Sequence, residues 1–118
     1  MDWKEVYQLP LRKEECGPYA FSKNGTMAIT FNFDIDDDMK FMEKFVAIVN
    51  GEKENEKTAG QWRADGVDIY CNDVLVCCVR GWGYLTGIGG LHLPIEEAIE
   101  IQDGFVNYIL GRLNNRKA

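Results

Sequence analysis

Residues 74–79, with the sequence VLVCCV, form an uninterrupted apolar run in the second half of the chain. Side chains along a strand alternate between the two sides of a sheet, so a strand without polar positions is apolar on both faces. This run therefore predicts a central strand that is covered on both sides, or one whose second face meets another chain.

Two shorter strand patterns precede this run. The segments QWRA and VDIYC are separated from each other by Asp65–Gly66, and VDIYC is separated from the apolar run by Asn72–Asp73. Both dipeptides favour two-residue turns between antiparallel strands. We therefore predict an antiparallel meander that ends in the central strand.

A further hairpin is predicted in the segment PYAFSKNGTMAITFNF. Its Asn24–Gly25 pair favours a two-residue turn with both residues at positive φ. Such a turn pairs Ala20 with Ile29. It also pairs Phe21 with Ala28, which places aromatic side chains on both faces. Either both faces are then covered or a one-residue bulge shifts the register.

Two amphipathic helices are predicted, one before and one after the meander. The first lies in DIDDDMKFMEKFVAIVNGE, where the aspartates supply the N-cap and Asn50–Gly51 favours a left-handed end. The second runs from about Pro94 to Leu113. Gly104 weakens this helix by about 1 kcal/mol relative to alanine, so close packing or a bend is expected there.

The order of these elements predicts an α+β fold. We expect residues 1–118 to form one two-layer domain, an antiparallel sheet of about five strands with two helices in the order ββαβββα. An irregular arm over 1–18 packs on a core over 19–113. If both helices share one face of the sheet, the arm or a second copy of the chain must cover the other, which favours a homodimer. The residues expected on that other face are Tyr70, Leu75 and Cys77, or their alternates.

The charge of the chain restricts its partners. It has 19 acidic and 13 basic residues, which gives a formal net charge of −6. Because direct binding to a nucleic-acid duplex needs a basic face, we expect no such binding. An acidic surface is typical of a soluble protein, and it can also compete with nucleic acid for a basic host protein. No apolar run approaches the roughly 20 residues that span a bilayer, and the N-terminus lacks the pattern of a signal peptide. We expect a cytoplasmic protein with no membrane contact.

The cysteines do not indicate a metal site. No CxxC pair occurs, and Cys77 and Cys78 would point to opposite faces of a strand. A zinc site built from Cys71, Cys78 and His92 is therefore disfavoured. We expect these thiols and that of Cys16 to be reduced, with those in apolar sequence acting as small buried hydrophobes.

Catalysis is not indicated either. His92 is the single histidine and Ser22 the single serine, and neither has partners at a recognisable catalytic spacing. The acids of DIDDD and IEEAIEIQD are typical of helix starts and solvated helix faces. We expect a protein that is not an enzyme and that uses no cofactor and no metal.

A loop rich in glycine follows the central strand. Five of the ten residues over 81–90 are glycine. The absence of Gly-Lys-[Ser/Thr] excludes a Walker loop. The segment GWGYLTG is similar to a dinucleotide turn, but the strands are not parallel, and Glu96 and Glu97 occupy the helix start where a phosphate would sit. A Rossmann-type site is therefore disfavoured.

Two interpretations of this loop stay open. In the first it binds an anionic or nucleotide-like ligand, because an arginine fork and glycine amides can hold an anion while an aromatic ring stacks on a base. The candidate ligand-binding residues are Arg80, Trp82, Gly83, Tyr84, Thr86 and His92. In the second, which buried aromatics generally favour, the loop is a structural corner whose arginine pairs with an acid. The residues that would then plug the end of the core are Trp82, Tyr84, Leu91 and Leu93.

The segment RGWGYLTGIGGLHLPIEEAIEIQDGFVNYI, residues 80–109, resembles small uncharacterised proteins of bacteriophages and mobile elements of gut bacteria. A looser similarity extends to FMEKFVAIVNGE and the hairpin before it. The resemblance implies a genomic setting in which small accessory proteins often inhibit or sequester components of host defence. It implies no activity and no catalytic residues.

Two functions follow as expectations. The chain either sequesters a small anionic, nucleotide-like ligand at the loop over 80–92, or binds a host protein through its acidic surface and exposed aromatics with the loop purely structural.

Overall fold

A computed structural model describes residues 1–32, 38–55 and 61–114. In these ranges four helices and six strands follow one another as α1 (Trp3–Val6), β1 (Arg12–Lys13), β2 (Tyr19–Phe21), β3 (Met27–Phe31), α2 (Met39–Val49), β4 (Trp62–Asp65), β5 (Asp68–Cys71), β6 (Val74–Val79), α3 (Trp82–Thr86) and α4 (Ile95–Asn114). The strands form one antiparallel sheet in the order β1-β2-β3-β6-β5-β4. The predicted α+β fold is confirmed, and the apolar run is a central strand.

The details of the prediction need three corrections. The sheet has six described strands rather than about five, because Arg12–Lys13 pairs with β2 at one edge. This strand lies inside the arm that was predicted to be irregular, and its two charged residues show no alternation. The same arm begins with α1, whose N-terminus has a capping box: the side chains of Asp2 and Glu5 each accept from the backbone N–H of the other. A short helix, α3, also occupies the glycine-rich loop.

One face of the sheet supplies the core. Ile29, Val79 and their neighbours across the strands are buried there, and Cys77 pairs with both Phe31 and Ile69 on the same side. α2 and α4 contribute to this core, which buries Phe45 beside Phe31 with the two rings edge to face at 5.3 Å. The other face of the sheet is therefore left without a helix of this core.

A bulge decides which side chains reach that open face. Ile69 pairs with Cys77, but the next residue, Tyr70, pairs with Leu75, so Val76 is the extra residue in β6. Cys77 consequently points into the core and is 0% exposed, contrary to the expectation that it shares the open face with Tyr70 and Leu75. The run VLVCCV has no alternation of polar and apolar residues from which this shift in register could be predicted.

The homodimer that was predicted to cover the second face of the sheet stays a prediction.

The N-terminal arm packs against α4. Adding a Cβ at Gly104 would place it 2.6 Å from Cδ1 of Trp3, so the glycine admits the indole ring. The close packing predicted at this position is confirmed. One turn further along the arm, the ring of Tyr7 stacks on Phe105 with centroids 4.2 Å apart and planes 9° apart. The first part of the arm thus packs against α4.

The turns were predicted with mixed success. Asn72 and Asp73 both have positive φ, as expected for a two-residue turn. Between β4 and β5 the turn is Gly66–Val67 rather than Asp65–Gly66, because Asp65 pairs with Asp68.

The first hairpin differs more. Ser22 N–H donates to Thr26 O, so the loop has three residues, and only its last one, Gly25, has positive φ. Ala20 pairs with Ile29 as predicted, but Phe21 pairs with Met27. The one-residue bulge, which was predicted as one of two alternatives for this hairpin, is therefore present.

The two long helices lie where the patterns place them. Asp38 caps α2 by accepting from Phe41 N–H at 3.0 Å, and Gly51 follows the helix with φ of 80°. The aspartates over 34–37 and the connector over 56–60 lie outside the described residues. Neither α4 nor any other described helix is long and apolar enough to cross a membrane.

Candidate ligand site at helix α3

The glycine-rich loop begins with a residue that only glycine suits. Gly81 has φ of 112°, and a Cβ there would lie 2.9 Å from Oη of Tyr7. This sharp change of direction after β6 starts α3. The helix buries Leu85 completely and leaves Trp82 41% exposed and Tyr84 39% exposed. Leu85 was not among the residues predicted to plug this end of the core, but it is the residue of α3 that is buried there.

The expectations of a purely structural corner are met only in part. Leu91 and Leu93 are partly buried against the core, as that interpretation requires. Trp82 and Tyr84 are not buried. Arg80 is exposed, and within the described ranges its guanidinium forms no salt bridge with an acid.

Three of the predicted ligand residues share one depression of about 420 Å³. Arg80 and Trp82 line it together with Gly83, which offers backbone without a side chain. The remaining lining comes from Val67, Val79, Gly81 and Gln102. An arginine, a tryptophan and a glutamine therefore border the same space.

Gln102 lines the depression but was not predicted from the sequence as a ligand-binding residue. It lies on α4 and is only 7% exposed, and its side chain also interacts with the hydroxyl of Tyr7. It occupies an apolar face of the helix, one turn from Ala98 and from Phe105, both of which are fully buried. A polar residue within an apolar stripe is the signal that marks such a position.

The other predicted residues lie elsewhere. Tyr84 lines a separate depression of about 430 Å³ beside the first hairpin loop, with Gly81 as the common border. Thr86 Oγ1 donates to the carbonyl of Trp82 at 2.9 Å, and Nδ1 of His92 lies 3.4 Å from the carbonyl of Thr86. Thr86 and His92 line neither depression. The structure therefore divides the six candidates between different places.

Tyr7 fixes the backbone next to this depression. Its hydroxyl donates to the carbonyl oxygen of Arg80 at 2.6 Å, which fixes the backbone between β6 and α3. Burial raises the pKa of Tyr7 to about 12, and the hydrogen-bonding contact with Gln102 partly opposes this shift. The phenol thus stays protonated and keeps its role as a donor far above neutral pH.

This contact predicts a pH-dependent effect of replacing Tyr7. We expect Tyr7→Phe to lower the free energy of unfolding by about 1–3 kcal/mol near neutral pH, because the carbonyl of Arg80 loses its donor. The folded-state pKa of Tyr7, about 12, exceeds the ordinary value of 10.0. The stability that the Tyr7 hydroxyl contributes to the wild type is therefore fully present below pH 10 and is lost as the pH rises toward 12. The gap between the two proteins should therefore narrow over that window. Urea denaturation of both at a series of pH values measures it, and a gap that widens would contradict the assignment.

The thiols near the site are poor nucleophiles. Burial, a hydrogen bond to Asp68 and the charge of that carboxylate raise the pKa of Cys78 to about 11, and the nearby Arg80 opposes this only weakly. Burial raises the pKa of Cys77 well above its usual value. Cys71 lies on the core side of β5 and Cys78 on the open face, so these two thiols do not converge with His92. No group of three or more potential metal ligands occurs within the described ranges.

Comparison of the chain with protein-family models, with curated proteins and with solved structures finds no match.

Proposed function

We propose that this chain is a non-catalytic binding protein that holds an anionic, nucleotide-like ligand in the depression lined by Arg80, Trp82, Gly83 and Gln102. The observation that carries the proposal is that an exposed arginine, an exposed tryptophan and a mostly buried glutamine line one concave surface. Concave sites with a few convergent polar groups are where small ligands usually bind.

Each lining group matches one part of a nucleotide. The Trp82 ring offers a face for stacking a base, which contributes about 1–3 kcal/mol per base in known cases. The carboxamide of Gln102 has both donors and an acceptor, so it can pair with a base edge. The guanidinium of Arg80 forms two parallel hydrogen bonds to a phosphate. Because Tyr7 holds the backbone carbonyl of Arg80, the backbone between β6 and α3 does not have to be ordered on binding.

The same groups favour binding over catalysis. A guanidinium stays charged at all accessible pH values, and neither an indole nor a carboxamide titrates, so none of the three transfers a proton readily. The resemblance to small phage and mobile-element proteins suggests the purpose of such binding. A protein of this kind would counter host defence by sequestering a nucleotide-like signal.

A thermal-shift experiment with AMP, GMP, CMP and UMP tests the proposal. A ligand present at 100 times its Kd raises the stability of the folded state by about 2.7 kcal/mol, which is a shift of several degrees in a domain of this size. We expect at least one nucleotide to produce such a shift in the wild type. Arg80→Ala and Trp82→Ala should each abolish it.

Tyr84→Ala is the matched control. Tyr84 is as exposed as Trp82 and belongs to the same helix, but it lines the neighbouring depression. The shift should survive in this variant. Loss of the shift in Tyr84→Ala but not in Trp82→Ala would move the site to the other depression, and no shift with any nucleotide in the wild type would contradict the proposal.

A second candidate function is binding of a host protein. Ile88, Ile95 and Ile99 are 89%, 60% and 45% exposed, and the last two lie four residues apart on one side of α4. The exposed acids Glu96 and Glu100 stand beside them, so the surface fits a partner with an apolar centre and a basic rim. Under this function no nucleotide changes the melting temperature.

A further inference from the structure

The last residue of α4 is hydrogen-bonded to the first residue of β4. Nδ2 of Asn114 donates to the carbonyl oxygen of Trp62 at 3.1 Å, and Oδ1 of Asn114 accepts from the N–H of Trp62 at 3.4 Å. A side-chain carboxamide has the same donor and acceptor as a peptide group, so these two bonds match those that a residue of an adjacent antiparallel strand would form. Asn114 thus occupies the place of a strand residue next to β4.

The opposite edge of the sheet shows the same arrangement. The N–H of Leu11, the residue before β1, donates to Oδ1 of Asn50 at 2.6 Å, and the carbonyl of Leu11 accepts from Nδ2 of Asn50 at 3.0 Å. β1 and β4 are the two outer strands of the described sheet. Asn50 is the C-cap of α2, and Asn114 is the last residue of α4. Each long helix therefore ends by placing one carboxamide on one edge of the sheet.

The bonds within β4 show which backbone groups Asn114 covers. The N–H of Asn72 donates to the carbonyl of Gln61 at 3.0 Å, so Gln61 faces β5. Backbone groups alternate in direction along an antiparallel strand, so those of Trp62 and Ala64 face away from β5. Asn114 takes both groups of Trp62. Those of Ala64 have no hydrogen-bond partner within the part of the chain that the structure describes.

Without Asn114, the outer edge of β4 is complementary to itself. An antiparallel pairing that sets Ala64 opposite Ala64 of a second copy lets these two residues exchange both hydrogen bonds. The same register sets Arg63 opposite Asp65 of the second copy, and two-fold symmetry forms this pair of opposite charges twice. Arg63 and Asp65 are two residues apart and therefore lie on one face of the sheet. Arg63 uses Nε and Nη2 for Asp73, and its third guanidinium nitrogen can serve a second carboxylate.

We propose that Asn114 is an edge guard, a side chain that takes the place of a strand residue beside Trp62 and so prevents β4 from pairing with β4 of a second copy. In the self-complementary register, Gly66 of the second copy lies opposite Trp62, where the carboxamide of Asn114 stands. Unpaired sheet edges promote association between chains, and natural proteins protect them by covering the edge. This role is separate from the proposed nucleotide site, because Asn114 does not line that depression.

Asn114→Ala tests the proposal in the full chain. We expect this variant to associate about tenfold more tightly than the wild type, because the groups of Trp62 become free and the place beside them becomes empty. Light scattering after size-exclusion chromatography at a series of protein concentrations measures the association. Asn107→Ala is the matched control, since it removes an exposed asparagine from the same helix away from the edge, and it should associate as the wild type does.

Ala64→Pro, added to Asn114→Ala, separates edge pairing from association of partly unfolded chains. Proline has no N–H to give to a second copy, and the N–H of Ala64 faces away from β5, so the bonds between β4 and β5 are kept. The double variant should return to the association of the wild type. Circular dichroism and thermal melting check that both variants are folded.

Hydrogen exchange followed by NMR tests the same contact in the wild type, without any substitution. At low protein concentration the backbone amide of Trp62 should exchange more slowly than that of Ala64, because Asn114 accepts only from the first. The proposal is overturned if the amide of Trp62 exchanges as fast as that of Ala64, if Asn114→Ala associates no more tightly than the wild type, or if adding Ala64→Pro leaves that association unchanged.

Discussion

Replacement of Phe105 by alanine should lower the free energy of unfolding by about 3–5 kcal/mol, because the side chain is fully buried and its removal leaves a large cavity. The ring stacks on Tyr7 at 4.2 Å, and its centroid is 5.5 Å from that of Trp3. Both partners belong to the N-terminal arm. The variant should therefore release the arm from α4 as well as weaken the core, and chemical denaturation together with tryptophan fluorescence measures both effects.

Asn107→Ala is the control on the same helix. Asn107 is exposed, and alanine has the higher helix propensity, so its stability should change by less than about 0.5 kcal/mol. A Phe105→Ala protein as stable as this control would show that the arm does not pack as described.

Replacement of Gly90 by alanine should cost about 2–3 kcal/mol for a different reason. An added Cβ would overlap the carbonyl oxygen of Tyr84 and lie 2.8 Å from its carbonyl carbon. Both are backbone atoms that cannot rotate away, so the loop must separate from α3. The hydrogen bond from Leu91 N–H to Tyr84 O, now 2.8 Å, would be lost in that movement.

Gly89→Ala gives the matched comparison one residue away. A Cβ at Gly89 meets nothing within 4 Å, and the residue is exposed. Its melting temperature should equal that of the wild type, whereas Gly90→Ala should melt several degrees lower. Equal melting temperatures for the two variants would mean that the loop does not close on α3 in this way.

Most of the architecture was predictable because it depends on patterns of side chains. The central position of β6 follows from a run that is apolar on both faces, and α2 and α4 follow from their apolar stripes. The pairing shifts at Phe21 and at Val76 were not predictable in the same way. A bulge adds one residue without changing which residue types are apolar, so several registers satisfy one pattern.

The candidate site was predictable only where neighbours in sequence are neighbours in space. Arg80, Trp82 and Gly83 do line one depression, because a single turn of chain presents them. Tyr84 was grouped with them, but the helical rotation of α3 carries it to the other side. Gln102 comes from α4, and its approach to Trp82 depends on how that helix packs against the end of β6.

The hydrogen bond from Tyr7 to the carbonyl of Arg80 also has a consequence for the order of folding. It joins two residues that are far apart in the chain, and the ring of Tyr7 is in turn supported by Phe105. Contacts between distant segments form only after long loops have closed. During synthesis the depression lined by Arg80 and Gln102 therefore stays incomplete until α4 has left the ribosome, so a nascent chain does not present this surface before its domain is nearly finished.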